Sequence, residues 1–210
     1  METANRIVKD IFSAPLLQCV WKDHESLNKS LMSLILAKRE QSPGEKMSNT
    51  GGWQSEKKLQ TWESPAVAQL IEKINTVVTL LLTERLGEDE AGKVGNWYIA
   101  AWANINEVGD YNTLHNHSGA FFSGVYYVSA GTPDELHPFS GVLTFRNPTL
   151  SALAVDNLRV PKQLGSMFRS EYSINPQNGL MLLFPGWLQH EVHPYFGSSP
   201  RVSISWDVVF

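Results

Sequence analysis

Three histidines and an arginine in the C-terminal half could together hold a metal ion and a carboxylate. His115 and His117 stand two residues apart in LHNH, His190 lies in FPGWLQHEV, and Arg201 begins RVSISWDVVF. On a strand, side chains two residues apart point to the same side, so His115 and His117 can converge on one metal ion. Arg201 offers a guanidinium that binds carboxylates in a bidentate manner. This combination indicates oxygen chemistry.

Three protein ligands leave room on a metal for a substrate and dioxygen. An octahedral metal with three ligands on one face keeps three positions open, and imidazole binds iron, copper, zinc and nickel alike. Each residue taken alone has a simpler interpretation: a polar pair at a strand end, a surface histidine, and an arginine that pairs with an acid. Their occurrence together favours a metal site. The types of ligand do not identify the metal.

The composition predicts a single domain that binds neither nucleic acid nor membranes. The chain has 210 residues and a net charge of -4, with a pI near 5.9. Because nucleic acid and anionic membranes attract basic surfaces, a small-molecule or peptide substrate is the expected partner. Cys19 is the only cysteine, which excludes a disulfide framework. With no signal segment evident, we expect a cytoplasmic protein; nothing specifies its oligomeric state.

Residues 1–95 are predicted to form helices that support a sheet. Leucines within SLNKSLMSLILAKRE recur at helical spacing. A longer helix is predicted from a Ser64 cap and a first-turn Pro65 through Arg85, with Gly87 as its stop. Between the two helices, SNTGGWQS suggests an ordered loop that covers another part of the fold.

Residues 96–210 are predicted to form about eight strands, because short aromatic and β-branched runs alternate there with turn residues. The expected class is α+β, mainly β, with an antiparallel sandwich or open jelly roll. The strong candidates are WYIAAWANI, FFSGVYYV, GVLTF, GLMLLF and RVSISWDVVF, and the weaker ones are residues 112–116, 155–160, 171–174 and 190–193.

Alternation along two of these runs sorts the side chains onto two faces. In the last run, the polar face comprises Arg201, Ser203, Ser205 and Asp207, and the apolar face comprises Val202, Ile204, Trp206 and Val208. In WYIAAWANI, Trp102 and Asn104 share a face, so Asn104 could reach a bound ligand.

The motifs LHNH, SGVYYV, GVLTF, FPGWLQHEVHP and RVS, in this order, resemble the core of a known enzyme family. They are similar to the double-stranded β-helix (jelly roll, cupin-like) of 2-oxoglutarate- and Fe(II)-dependent oxygenases, in the prolyl-hydroxylase-like branch. The specific resemblance is to oxygenases of unassigned substrate from bacteria and phages, which share a segment like SNTGGWQS. The resemblance covers roughly residues 96–210 and that segment.

The resemblance implies an oxidoreductase, a dioxygenase that hydroxylates its substrate with Fe(II) and 2-oxoglutarate as cofactors. The family's metal pair falls on His115 and His117, and its distal histidine falls on His190. The cosubstrate arginine falls on Arg201, with Ser203 completing an RxS pattern. Tyr127, in VYYV, matches a tyrosine that hydrogen-bonds the cosubstrate, and Tyr126 should then face the opposite side.

One position departs from the family pattern, because His117 stands where the family's HxD motif has an aspartate. Three neutral imidazoles would leave about one more unit of positive charge at the metal, which should strengthen its hold on dianionic 2-oxoglutarate and make oxidation harder. In the alternative, His117 does not bind the metal directly, and an acid from elsewhere or a water molecule is the third ligand. Asp110 and Glu191 are the acids nearest in sequence.

Other candidates stay open at this point. His193 competes with His190 as the distal ligand, and His137 could contact substrate from its loop. The basic residues Arg159, Lys162 and Arg169, in a variable loop at 147–177, could meet an acidic substrate.

Two other functions fit the same residues. One is a three-histidine dioxygenase that binds its substrate directly and does not use 2-oxoglutarate, so that Arg201 would hold a substrate carboxylate. The other is a non-catalytic jelly-roll module that binds a metal. Succinate formed from 2-oxoglutarate separates the first interpretation from both.

Overall fold

Two antiparallel sheets and two long helices make up most of the computed structural model, which describes residues 13–132, 134–149 and 169–210. The helices are α1 (His24–Gln41), α2 (Pro65–Leu86) and the single-turn α3 (Glu88–Ala91). The strands are β1 (Leu17–Val20), β2 (Asn49–Thr50), β3 (Trp53–Gln54), β4 (Tyr98–Asn106), β5 (Tyr111–His115), β6 (Phe122–Ser129), β7 (Leu143–Arg146), β8 (Glu171–Ile174), β9 (Leu180–Pro185), β10 (His190–Val192) and β11 (Arg201–Val209).

The larger sheet has six strands in the order β1-β9-β6-β11-β4-β3, and the smaller has five in the order β2-β5-β10-β7-β8. All pairs of neighbouring strands are antiparallel. β11 lies inside the larger sheet and pairs along its length with β4 on one side and β6 on the other. The expected mainly β, antiparallel class is confirmed.

Both predicted long helices are present, and each forms for a local reason. The side chain of Ser64 accepts a hydrogen bond from the backbone N–H of Ala66 at 3.3 Å, which satisfies one free donor of the first turn of α2. Gly87 ends α2 with a φ of 82°, a backbone conformation that residues other than glycine rarely adopt. α2 is long and apolar enough to cross a membrane, but half of the window concerned is buried inside the fold, as in a core helix.

A hydrophobic core lies between the helices and one face of the larger sheet. Leu31 and Ile35 of α1 and Leu70 and Ile74 of α2 are fully buried in it. The strand residues that face these helices include Val202, Ile204, Trp206 and Val208 of β11, as the alternation predicts. A second core lies on the other face of this sheet and includes Val125, Tyr127, Leu143, Phe145, Leu180, Leu182, Phe184 and Val192.

The strand predictions for residues 96–210 agree with the structure wherever it describes them, within one or two residues at each end. The predicted strand at 155–160 lies outside the described residues, as do Arg159 and Lys162. The helical description of residues 1–95 is incomplete, because β1, β2 and β3 join the sheets from this region. The two-residue strands β2 and β3 are too short to show alternation in the sequence.

The SNTGGWQS segment crosses from one sheet to the other. β2 pairs with β5 in the smaller sheet, and β3 pairs with β4 in the larger one. Gly51 and Gly52 make the crossing with φ values of 69° and 61°. A Cβ on Gly51 would lie 1.9 Å from an oxygen of the Asp110 carboxylate, so only glycine fits there.

Packing beside Gly124 should be intolerant of an added methyl group. Gly124 lies opposite Trp206 in the sheet, and a Cβ there would lie 2.1 Å from the indole and 2.4 Å from the carbonyl oxygen of Leu182. We expect Gly124→Ala to lower the free energy of unfolding by about 1–3 kcal/mol, the usual cost of overpacking. Gly95→Ala is the control, because a Cβ there meets nothing within 4 Å. Chemical denaturation that shows equal stability for the two variants would contradict this account.

Candidate active site

A pair of neighbouring histidines and a third from a distant part of the chain meet on one side of the larger sheet. His115 ends β5 and lies directly opposite His190 of β10, with ring centroids 4.4 Å apart. The ring of His117 lies 5.3 Å from that of His115 and 5.2 Å from that of His190. One ring nitrogen from each histidine lies within 4.8 Å of the others, so the cluster can hold a metal ion.

His117 reaches the cluster from a turn, whereas His115 and His117 were expected to come from one strand. β5 ends at His115. The backbone N–H of His117 donates to the carbonyl of Gly186 at 2.8 Å, and its own carbonyl accepts from the N–H of Ala120 at 3.2 Å. These bonds turn the chain after the strand end and still leave the His117 ring beside the other two.

Each of the three rings is held through its Nδ1 atom. Nδ1 of His115 lies 2.7 Å from the carbonyl oxygen of Thr113, and Nδ1 of His190 lies 2.9 Å from that of Leu188. Nδ1 of His117 lies 2.5 Å from a carboxylate oxygen of Asp207. Because these acceptors require an N–H at Nδ1, Nε2 is the ring atom that each histidine can offer to a metal.

Burial keeps two of these histidines neutral. It lowers the pKa of His190 to about 3, with the neighbouring His115 acting in the same direction. Burial also lowers the pKa of His115, although the hydrogen bond to Thr113 opposes it. A neutral imidazole is the form that binds metals.

Asp207, and neither acid nearest in sequence, is the carboxylate at the cluster. Burial raises the pKa of Asp207, but hydrogen bonds and charges from His117, Lys57 and Ser123 outweigh it, so the pKa lies below its usual value. Asp110 instead accepts the backbone N–H of Glu107 at 2.7 Å. Glu191 pairs with the guanidinium of Arg146.

Arg201 lies in the same cavity as the histidines, and the cavity has a volume of about 680 Å³. The side chain is buried, and its Nη1 donates to Asn106 at 3.1 Å and to Ser203 at 3.4 Å. Its guanidinium lies 5.0 Å from the centre of the Tyr127 ring. Neither Nε of Arg201 nor the hydroxyl of Tyr127 has a hydrogen-bond partner among the described residues. Such atoms are costly to bury unless a ligand satisfies them.

The remaining predicted site residues, Asn104 and Ser203, also line this cavity. Asn104 faces it, with its side-chain amide donating to Ser205 at 3.1 Å. Ser48 and Gln54 line it from the SNTGGWQS segment, and the Ser48 hydroxyl lies 3.4 Å from Nε2 of His115. The segment was expected to cover another part of the fold. In the structure it lies beside the histidines.

The two other candidate histidines, His193 and His137, lie outside the cluster. Nε2 of His193 lies 3.0 Å from the hydroxyl of Thr144, so His193 is not the distal member. His137 stacks on Phe196 with ring centroids 4.0 Å apart and pairs with Asp134.

The tyrosines of β6 divide between the two faces of the sheet, as alternation predicts. Tyr127 lines the cavity, whereas the hydroxyl of Tyr126 donates to Asn28 of α1 at 2.6 Å on the helix side.

Comparison with known families identifies this constellation. The family model described as "Putative 2OG-Fe(II) oxygenase" matches residues 100–207, just over half of the chain. The chain belongs to this family. The 2OG-Fe(II) oxygenases are oxidoreductases that use Fe(II) and 2-oxoglutarate, and the resemblance found in the sequence is thereby confirmed. No curated protein matches the chain.

Solved structures of similar fold include several oxygenases. A prolyl-4-hydroxylase of Pseudomonas putida has a TM-score of 0.63 at 14% identity, and the match covers 92% of this chain and 91% of that one. A prolyl hydroxylase of Trichoplax adhaerens, in complex with a peptide fragment of hypoxia inducible factor, has a TM-score of 0.59 at 12% identity and 91% and 83% coverage. HygX of Streptomyces hygroscopicus, with nickel and 2-oxoglutarate bound, has a TM-score of 0.55 at 13% identity and 92% and 82% coverage.

The residues of this oxygenase fit both cofactors. Three clustered imidazoles, each anchored through Nδ1, suit Fe(II). The unpartnered Arg201 Nε and Tyr127 hydroxyl suit a carboxylate in the same cavity.

Sequence reasoning missed four residues that position the site: Asp207, Lys57, Ser123 and Asn106. A signal existed for Asp207, because alternation puts it on the same face as Arg201. The other three make contacts with residues 84 or more positions away, for which one sequence carries no signal.

Metal binding by this oxygenase should depend on His190 and not on His193. We expect His190→Ala to lower Co(II) affinity by more than about 100-fold, beyond the loss usual for outer-shell partners. His193→Ala, which changes a nearby histidine outside the cluster, should bind Co(II) like the wild type. Competition with a chelator measures both, and the reverse ranking would show that the distal ligand is misassigned.

Proposed function

We propose that the chain is an Fe(II)- and 2-oxoglutarate-dependent hydroxylase in which His115, His117 and His190 hold the metal. Arg201 binds the far carboxylate of 2-oxoglutarate, with Tyr127 and Ser203 beside it. The observation that carries this proposal is the pair of unpartnered polar atoms, on Arg201 and Tyr127, in the cavity that also holds the histidines.

The guanidinium of Arg201 is held ready for an anion. Asn106 and Ser203 accept from its Nη1, which fixes the plane of the fork. No carboxylate pairs with Arg201 in the part of the chain that the structure describes. Burying a charge without a counter-charge costs free energy. A carboxylate that pairs with Arg201 removes this cost, so it should bind strongly here.

Tyr127 supports the same carboxylate as a neutral donor. Burial raises the pKa of its hydroxyl, although the nearby Arg201 opposes this. The hydroxyl therefore keeps its proton and can donate a hydrogen bond to a carboxylate oxygen. Asn104, on the neighbouring part of the cavity wall, is the further side chain that we assign to cosubstrate binding.

When bound, Fe(II) and 2-oxoglutarate supply the activation of dioxygen for hydroxylation, with succinate and carbon dioxide as co-products. The chain supplies binding, orientation and exclusion of water. Its buried arginine and tyrosine would orient the cosubstrate, and the three anchored rings would hold the metal. Polar side chains, those of Ser48, Asn112 and Thr113, line part of the cavity wall. The expected partner is a small-molecule or peptide substrate.

We further propose that the two sheets form a double-stranded β-helix within a single domain of residues 1–210, in a cytoplasmic protein. The antiparallel pairing in both sheets and the similarity to prolyl hydroxylases support the fold. The helices of residues 1–95 then serve as support for the larger sheet.

Binding of 2-oxoglutarate should depend on Arg201. We expect Arg201→Met to weaken 2-oxoglutarate binding by about 100-fold or more, since truncating one side of a buried charge pair costs about 2–5 kcal/mol. Arg146→Met is the control, because Arg146 pairs with surface acids outside the cavity. Calorimetry on Ni(II)-loaded protein measures the affinity.

The succinate assay tests the function itself. Wild-type protein with Fe(II) and dioxygen should form succinate from 2-oxoglutarate, with the remaining two electrons supplied by ascorbate where no substrate is present. No succinate would contradict the proposed function and leave the two alternatives, a three-histidine dioxygenase that binds its substrate directly and a non-catalytic metal-binding module. Unchanged affinity in Arg201→Met would remove Arg201 from the cosubstrate site.

Adjacent tyrosines should give opposite results. Tyr127→Phe should lower 2-oxoglutarate affinity by about tenfold, the value of one hydrogen bond, without loss of stability, because its hydroxyl has no partner among the described residues. Tyr126→Phe should lower stability by about 1–3 kcal/mol, because it leaves buried Asn28 unsatisfied, and should not change the affinity. Thermal unfolding and calorimetry of the two variants decide the matter, and a loss of affinity in Tyr126→Phe alone would contradict it.

A further inference from the structure

One histidine of the cluster differs from the other two in the group that accepts a hydrogen bond from its Nδ1 atom. His115 and His190 point their Nδ1 atoms at neutral backbone carbonyls. His117 points its Nδ1 at the carboxylate of Asp207, at 2.5 Å. Both side chains of this pair are nearly buried, with 7% and 10% exposed. The His117 ring is therefore the one member of the cluster backed directly by a negative charge.

We propose that Asp207 acts through His117 as a positioning residue that supplies the negative charge which an aspartate ligand would otherwise bring to the metal. This inference rests on the metal ligands assigned above. A carboxylate that accepts the Nδ1–H of an imidazole orients the ring and makes its Nε2 a stronger ligand. The pair of His117 and Asp207 then takes the place of the aspartate that the HxD pattern has at position 117.

Asp207 is held firmly in the orientation that this role needs. Ser123 lies directly across the sheet from it, and its hydroxyl donates to the same carboxylate oxygen at 2.8 Å. The ammonium group of Lys57 lies 3.0 Å from the other oxygen. Three donors therefore surround one carboxylate, and its strand is paired on both sides at this position.

The His117 ring is oriented from a second direction. Trp102 stacks on it with ring centroids 5.6 Å apart and planes 28° apart. Lys57 packs over the same indole, 4.2 Å from its centre. The Lys57 side chain is 42% exposed, so water screens its charge more than it screens the buried hydrogen bond between His117 and Asp207. The imidazole remains the principal partner of Asp207.

A charge-supplying role predicts that Asp207 and His117 are energetically coupled. We would measure Co(II) affinity by chelator competition, without 2-oxoglutarate, for the wild type, Asp207→Asn, His117→Asp and the double variant. Asp207→Asn should weaken Co(II) binding by about 10–100-fold, the range for outer-shell partners. In the His117→Asp background, the same change should weaken binding by less than about threefold, because a carboxylate ligand already supplies the charge.

A control separates this effect from general loss of charge. Asp23→Asn also removes one carboxylate that pairs with a lysine, Lys73, but it lies outside the cavity. We expect it to leave Co(II) affinity unchanged. Equal losses from Asp207→Asn in both backgrounds would mean that Asp207 only maintains the fold, and no loss in the wild-type background would likewise overturn the proposal.

Proton NMR of the Co(II) protein gives a second test that does not need the His117→Asp variant to bind metal. The three Nδ1 protons should give three exchangeable, paramagnetically shifted resonances. Asp207→Asn should move the resonance of His117 and leave those of His115 and His190 in place. Three unmoved resonances would overturn the proposal. Neither measurement uses 2-oxoglutarate, so a wild type that forms no succinate would defeat the proposed function and leave this inference standing.

Discussion

The pairing of β11 on both of its edges is the constraint on which the rest of the structure depends. With β4 on one side and β6 on the other, β11 can neither slide nor rotate without breaking two ladders of hydrogen bonds. Its apolar face is held by the helices, so its polar face must line the cavity. Arg201 and Asp207 are both on that face, six residues or about 20 Å apart on an extended strand.

This separation keeps two opposite charges from neutralising each other. Asp207 is occupied by His117, Ser123 and Lys57, so it is not available to Arg201 at the other end of the strand. Arg201 donates to the neutral groups of Asn106 and Ser203, and its Nε atom has no hydrogen-bond partner among the described residues. One strand thus carries an anion beside the histidines and a cation at its other end, which the proposed function assigns to the metal and to the cosubstrate.

Much of the architecture could be predicted because it rests on local patterns. Helical spacing predicted α1 and α2, and period-two alternation predicted which residues of β11 face the helices and which of Tyr126 and Tyr127 faces the cavity. β2 and β3 could not be predicted, since two residues are too few to show a period. The resemblance of LHNH and the later motifs to a family identified the histidines, although only His115 of that pair lies on a strand.

The sequence by itself determined the types of ligand, their order along the chain and the shared face of Arg201 and Asp207, because alternation follows from the geometry of a single strand. Only the tertiary structure decided that Asp207 lies behind His117. The two residues are 90 positions apart, and they meet because the pairing of β6 with β11 brings Ser123 and Asp207 together beside the turn that carries His117. Register between distant strands is a property of the whole sheet, so no local pattern contains it.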